Sequence, residues 1–284
     1  MALLENHFVK YEGLGNDFVM IDNRDSEQLC FTPAEAVAIC DRRFGVGADG
    51  VIFLLPSKTA DFGMRLLNSD GSEAEMCGNG IRCLAQFALE LGIETPTGVF
   101  KVETQAGAMA VTLQDALFSV DMGPPFLLAG EIPTTLAPAD QKVIDMAIDV
   151  AAQTWQVTCV SMGNPHAVLF VPDVDAIDLH RLGPIFENLS AFPQRTNTHF
   201  VQVIDRTHLK MRIWERGAGP TLACGTGACA VLVAAVLNNL CEPSATVELP
   251  GGPLSITWES TTNHLRMTGP AKRVFAGQLS LSVG

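Results

Sequence analysis

Basic residues are scarce in this chain. Its 284 residues carry 18 Lys and Arg against 31 Asp and Glu, a net charge of −13 and a pI near 4.8. Nucleic-acid binding relies on a basic face, so a nucleic-acid partner is not expected, and the acidity serves solubility. Long apolar runs are also missing: no stretch approaches 18 consecutive apolar residues, and Met1-Ala2-Leu3-Leu4-Glu5-Asn6-His7 lacks a basic segment followed by a long apolar one. These absences argue against a membrane partner and an export signal. The expected location is the cytoplasm, with a mature plastid form left open. The eight cysteines, Cys30, Cys40, Cys77, Cys83, Cys159, Cys224, Cys229 and Cys241, include no Cys-x2-Cys pair. That spacing marks structural zinc sites and dithiol redox motifs. In a long, unexported chain the even cysteine number reads as thiols rather than a disulfide framework, and no metal is expected.

What is present is a core and a repeat. The 48% hydrophobic content fits a well-cored protein, and the length suits two ordinary domains. Met76-Cys77-Gly78-Asn79-Gly80-Ile81-Arg82-Cys83 is echoed by Ala223-Cys224-Gly225-Thr226-Gly227-Ala228-Cys229, each a cysteine and Gly-x-Gly before an apolar run. Met64-Arg65-Leu66 and Met211-Arg212-Ile213 each begin 13 residues before their cysteine, and Gly15-Asn16 and Gly163-Asn164 lie further upstream in near register. Such a repeat predicts two similar halves related by a pseudo-twofold axis, with the two thiols meeting at the seam.

A helix start leaves backbone N–H groups unsatisfied and carries the positive end of the helix dipole, so it binds anions and lowers a nearby cysteine pKa. Two such ends aimed at one cavity imply a specific chemistry. The amides of Gly78, Asn79, Gly225 and Thr226 hold a carboxylate, one thiolate removes the α-proton, and the other thiol protonates the opposite face. Donors around the carboxylate stabilise the charge that develops, and two identical groups suit a reversible inversion. Either cysteine stretch alone reads equally well as a buried small hydrophobe before a Gly-rich turn. The pair in register favours the chemical reading, while Cys83 and Cys229, a turn or more into their helices, read as core.

Along the chain, strands are expected at 8–11 and 17–22 around a Gly-rich turn. Thr32-Pro33-Ala34-Glu35 carries an N-cap, a proline and a capping-box glutamate, predicting a helix to about Asp41. Further strands are expected at 51–55, 61–67, 100–104, 108–113 and 116–121. Gly123-Pro124-Pro125 marks a domain boundary. In the second half, strands at 155–162, 167–171, 199–204 and 209–215 surround a short helix at 178–187, and 247–249, 254–259 and 264–267 complete the pattern. Asn16 and Asn68 read first as turn residues. His166 reads first as a hydrogen-bonded core histidine. Glu215-Arg216 reads either as a solvated ion pair or as a reader of an amino group and a carboxylate, which Arg binds bidentately.

Taken together, Lys10-Tyr11-Glu12-Gly13-Leu14-Gly15-Asn16-Asp17-Phe18, Arg42-Arg43-Phe44-Gly45-Val46-Gly47-Ala48-Asp49-Gly50, Asn68-Ser69-Asp70-Gly71-Ser72, the two cysteine stretches, Gly163-Asn164-Pro165-His166, Arg195-Thr196-Asn197, Glu215-Arg216-Gly217-Ala218-Gly219 and Met267-Thr268-Gly269-Pro270 resemble the diaminopimelate epimerase family over the whole chain. The resemblance implies an α/β (α+β) fold of two pseudo-symmetric domains, each a curved, mostly antiparallel sheet around a central helix, with the active site in the interdomain cleft. In the family the chain then crosses back, so that from Val274-Phe275 it should rejoin the first domain, giving domains 1–123 plus 271–284 and 124–270. It also implies a cofactor-independent isomerase of lysine biosynthesis that interconverts LL- and meso-diaminopimelate, a small-molecule substrate, and a homodimer. Cys77 and Cys224 would be base and acid. Asn16, Asn68, Asn164, Asn197, Glu215 and Arg216 would read the distal amino-acid end, and His166 would help set a thiol's protonation. One departure is Gly50, where many members carry a side chain such as Gln that reaches the pocket. The nearest rival, a proline-racemase-like enzyme, resembles Cys-Gly-His-Gly at the first thiol, where Asn79 stands here. A redox protein lacks its Cys-x-x-Cys, and an amino-acid-binding module leaves the paired thiols unexplained.

Overall fold

The computed structural model describes residues 7–279. The chain divides into two compact units: residues up to Val120 together with those from Gly269 onward, and Asp121–Thr268.

The first unit runs β1 (His7–Gly13), β2 (Asn16–Asp22), α1 (Pro33–Cys40), β3 (Gly50–Leu55), β4 (Phe62–Asn68), β5 (Glu73–Ala74), α2 (Gly78–Glu90), β6 (Val99–Thr104), β7 (Gly107–Gln114) and β8 (Leu117–Asp121). The second runs β9 (Met146–Val150), β10 (Gln153–Ser161), β11 (Pro165–Phe170), α3 (Leu179–Glu187), β12 (Asn197–Asp205), β13 (His208–Glu215), β14 (Gly219–Pro220), α4 (Gly225–Leu237), β15 (Ser244–Leu249), β16 (Gly252–Trp258) and β17 (Leu265–Gly269). The last strand, β18 (Lys272–Gln278), pairs antiparallel with β1, within the first unit.

Within each unit the pairing follows one scheme. In the first, β18, β1, β2, β3, β4, β6, β7 and β8 are hydrogen-bonded in that order, antiparallel except for β2 with β3 and β4 with β6. In the second, β9, β10, β11, β12, β13, β15, β16 and β17 follow the same order, and the two parallel pairs recur at β11 with β12 and β13 with β15. The repeat therefore extends from sequence motif to strand register. Phe18 pairs with Gly50 as His166 pairs with Asn197.

Each unit encloses one long helix. The second long helix, α4, is buried at Gly225 and continuously from Gly227 to Ala235 because its sequence is apolar all round, the signature of a helix covered on every side. It packs on β10, β11, β12, β15 and β16, and α2 packs on β1, β2, β3, β7 and β18. The short helix α1 starts at the expected cap: the Thr32 side chain accepts from the Glu35 amide, and Glu35 accepts from the Thr32 amide. It closes a cluster of Phe31, Ile39, Val51, Phe53 and Leu67. Opposite numbers Leu179, Leu182 and Phe186 on α3 pack with Trp155 and Phe200. The strands at β5, β9 and β14 had no expectation from sequence. Two of them are two residues long, too short for a period-2 pattern to show.

Candidate active site

In both units the cysteine is the residue on which the long helix starts. Cys77 is the N-cap of α2 with extended backbone, and the Gly80 amide donates to its sulfur at 3.5 Å. Cys224 is the N-cap of α4 in nearly the same conformation. The Gly-x-Gly sequence permits this close wrapping. A Cβ on Gly80 would come within 2.6 Å of Ile52, and one on Gly227 within 2.6 Å of the His199 ring and 3.1 Å of the Cys224 sulfur.

Around Cys77 the hydrogen bonds have fixed directions. The fully buried Arg82 guanidinium donates to the Asn79 side-chain oxygen at 3.1 Å, to the Gly78 carbonyl and to the Pro270 carbonyl. Because arginine only donates, Asn79 must present its amide nitrogen to Asn16 Oδ1, at 3.2 Å. Asn16 in turn donates to the Asp49 carboxylate at 2.6 Å. Its oxygen is thus left to face the Cys77 sulfur, which donates to it at 3.8 Å. Asn16 is placed by a tight hairpin, Leu14-Gly15, with φ of 59° and 80°, a turn whose two positive φ angles match strand twist but strain a leucine. The conspicuous 42–50 stretch braces this corner. Arg42 bridges Asp17 and Asp49, and Lys10 pairs with Asp17 at 2.7 Å. Burial pushes the Asp17 carboxyl up, but Arg42 and Lys10 hold it below the usual range.

Asn68 ends β4 and opens the turn after it, its carbonyl accepting from the Gly71 amide, and its side chain donates to Ser72. Gly50, opposite it in the β3–β4 ladder, has no room for a side chain: a Cβ there would meet Leu66 at 2.7 Å and the Leu67 carbonyl at 2.8 Å.

Around Cys224 a different network stands. The Cys224 sulfur is 3.6 Å from the Thr226 hydroxyl, to which Asn164 donates at 3.3 Å. The Asn164 oxygen is 3.0 Å from His166 Nε2, and His166 Nδ1 is 2.8 Å from His199 Nε2. Both histidines are fully buried. Burial, then the neighbouring His199 and Arg216, pushes the His166 imidazole far down, and burial pushes His199 down to about 3. Asn197 donates to the Pro165 carbonyl and accepts from the Arg216 amide, so it sets the backbone from which the Arg216 side chain leaves. That side chain reaches the Gln194 carbonyl. Glu215 accepts from the Thr221 hydroxyl and bears on Cys224.

One expectation is corrected. The helix start alone predicts a lowered cysteine pKa, but burial and then the Glu215 carboxylate push the Cys224 thiol well above its ordinary value, outweighing the Thr226 hydroxyl and Gly227 amide that pull it down. Desolvation of a thiolate outweighs these two donors here. Cys83 and Cys229, read as core, are fully buried; burial pushes the Cys83 thiol up to about 12 and that of Cys40 up to about 11, where thiols are inert.

The structure thus gathers Asn16, Cys77, Gly78 and Asn79 at one helix start, and Asn164, His166, Cys224, Gly225, Thr226 and Glu215 at the other. Asn68 instead hydrogen-bonds to Ser72, and the Arg216 side chain to the Gln194 carbonyl. Sequence reasoning passed over Arg82, Asp49 and His199 as individuals. Arg82 had a signal, a lone charge in an apolar helix run.

The family model for diaminopimelate epimerase matches residues 8–128 and 158–274. The diaminopimelate epimerase of Synechococcus sp. (strain JA-3-3Ab) is 60% identical over 275 residues, covering 95% of this chain and 96% of that protein. The one from Cyanothece sp. (strain PCC 7425) is 61% identical over 276 residues, covering 96% and 99%. Among solved structures, a phenazine biosynthesis protein of the PhzF family from Bacillus anthracis superposes with a TM-score of 0.70 at 16% identity, covering 97% of this chain and 99% of that one. A probable proline racemase from Agrobacterium radiobacter gives 0.70 at 15%, covering 98% and 93%. At such identities these two share the fold. The matched segments and the near full-length identity of about three residues in five place the chain in the diaminopimelate epimerase family.

Proposed function

We propose that the protein is an isomerase that interconverts LL- and meso-diaminopimelate without a cofactor, in lysine biosynthesis, using Cys77 and Cys224 as its two acid/base groups. The observation that carries this reading is the duplicated thiol: in two units with one strand register, the cysteine is the N-cap of the buried helix. The first amides of each helix, at Gly78 and Asn79 and at Gly225 and Thr226, have no intrahelical acceptor and suit the reacting carboxylate.

The α-proton of an amino acid is very weakly acidic, so the amides must stabilise the enediolate-like charge as one thiolate takes the proton. The second sulfur then gives its proton to the opposite face of the same carbon, inverting the centre. Cys77 in its thiol form donates to Asn16, a ready acid, and Cys224 has a hydroxyl able to donate to its thiolate. Roles exchange with direction. Asn16, Asn68, Asn164, Asn197, Glu215 and Arg216 are assigned to the distal amino-acid end, where the Arg216 guanidinium suits the distal carboxylate and confines reaction to one of two similar centres. His166 supports the protonation of Cys224. On family likeness alone, the enzyme is a cytoplasmic homodimer. Among the described residues, no helix is long and apolar enough to cross a membrane.

A screen of LL- and meso-diaminopimelate, proline and hydroxyproline isomers with wild-type enzyme and with Cys77→Ala and Cys224→Ala tests the proposal. The expected result is turnover of diaminopimelate only, abolished in both variants. Turnover surviving either substitution refutes the two-thiol assignment.

A further inference from the structure

The two helix starts are built alike but backed differently. Strand register makes His166 the counterpart of Phe18, since each leads the parallel pairing of its unit, and makes His199 the counterpart of Ile52, two residues on. Ile52 lies against Gly80, and His199 lies against Gly227, at matching points below the two cysteines. The first of these neighbours is an apolar side chain. The second is an imidazole in hydrogen-bond contact with that of His166, at 2.8 Å.

The direction of that contact follows from one atom. His199 Nδ1 is buried and has no hydrogen-bond partner. A buried N–H without an acceptor is rarer than a lone pair without a donor, so the proton of this neutral ring belongs on Nε2, where it is donated to His166 Nδ1. His166, also neutral, then carries its proton on Nε2 and donates to Asn164 Oδ1. Asn164 is left with its amide group toward Thr226 Oγ1, and the Thr226 hydrogen is left for the Cys224 sulfur. Every later direction is set by the first.

We propose that His199 is a positioning residue for Cys224: by donating to His166 it orients Asn164 and Thr226 so that the Thr226 hydroxyl donates to the sulfur. The proposal rests on the reading of Cys224 as an acid/base group. A donor to sulfur favours thiolate over thiol, and so opposes the two influences that hold Cys224 protonated, burial and Glu215. The groups that bear on this sulfur are Glu215 at the end of β13 and the Gly227 amide and Thr226 hydroxyl on α4, with Arg216 beside His166. Without the His199 donor, His166 is free to take its other tautomer, Asn164 to reverse, and the Thr226 hydroxyl to turn from the sulfur to the amide oxygen.

The test uses whole enzyme labelled with cysteine carrying 13C at Cβ, whose shift follows ionisation of each sulfur without substrate. The Cys224 resonance is assigned by its loss in Cys224→Ser. In His199→Leu, which mimics the Ile52 counterpart, the Cys224 titration is expected to move to higher pH, and kcat/KM at neutral pH to fall roughly tenfold, the worth of one hydrogen bond to a charged group. His199→Gln, whose amide can donate to His166, restores most of both. Thr226→Val produces the same shift, and the double variant shifts no further than either single one. A Cys224 titration unmoved in Thr226→Val or in folded His199→Leu overturns the proposal, as do a Gln variant shifted as far as the Leu variant and additive shifts in the double variant. Because the titration is read without turnover, its failure is separate from a failure of the proposed reaction, which Cys224→Ala activity reports.

Discussion

At the scale of single residues, the protein keeps two imidazoles neutral where water would let them charge. His166 is pushed far down and His199 down to about 3, while in the unfolded chain both return to the ordinary value near 6.5. Below pH 6.5 the unfolded state therefore binds more protons than the native one, and stability falls with pH. Between pH 6.5 and pH 5 the expected loss is roughly 2 kcal/mol per histidine, above the range where most carboxylates titrate. Urea unfolding at the two pH values checks this. In His199→Leu about half of the pH-dependent loss should vanish, and an unchanged dependence would mean that His199 is not held neutral by burial.

The residue scale is also where sequence told least. Cys77, Cys224, Asn16, Asn79, Asn164 and Thr226 stand in short motifs whose repetition drew attention to them. His199 stands inside an ordinary strand pattern, and its contact with His166 depends on parallel pairing of β11 with β12, a relation between segments 33 residues apart that no local pattern records. Arg82 is a similar case: its buried bond to the Pro270 carbonyl spans 188 positions. The sign of the Cys224 shift was missed for a related reason, since burial of the sulfur and the approach of Glu215 are tertiary facts.

At the scale of elements, the signals were strongest where the chain is most regular. The capping box at Thr32 and Glu35 formed as its spacing requires, and both cysteine stretches became helix starts. Strands that alternate or run continuously apolar were legible. Met146–Val150 was passed over although its burial alternates, because it is only five residues long and follows an irregular stretch. Gly50 shows how an element can veto a side chain. With β4 packed across it, a Cβ would fall 2.7 Å from Leu66 and 2.8 Å from the Leu67 carbonyl, so a glutamine there could not reach out without parting the two strands. Gly50→Ala and Gly50→Gln are both expected to lower stability by roughly 1–3 kcal/mol, the usual cost of overpacking, and Gly50→Gln to bring no gain in affinity for substrate. Thermal denaturation and KM check the pair. An alanine variant as stable as wild type would show that β3 and β4 separate without cost.

At the scale of the whole molecule, one chain builds the same unit twice and then differentiates the copies. Strand order, parallel pairs and helix starts agree between them, yet the network around Cys77 is pinned by charges at both ends, Arg82 and Asp49, while that around Cys224 ends in neutral imidazoles. A fixed acceptor faces one sulfur and a reorientable hydroxyl the other. The most direct measurement of the central claim is the fate of solvent hydrogen. In heavy water, LL-diaminopimelate incubated with the enzyme should gain one deuterium, at a single α-carbon, in each molecule of meso product first formed, read by NMR and mass spectrometry. Meso product formed with its α-hydrogen retained would contradict transfer between two exchangeable thiols, and so the account built on Cys77 and Cys224.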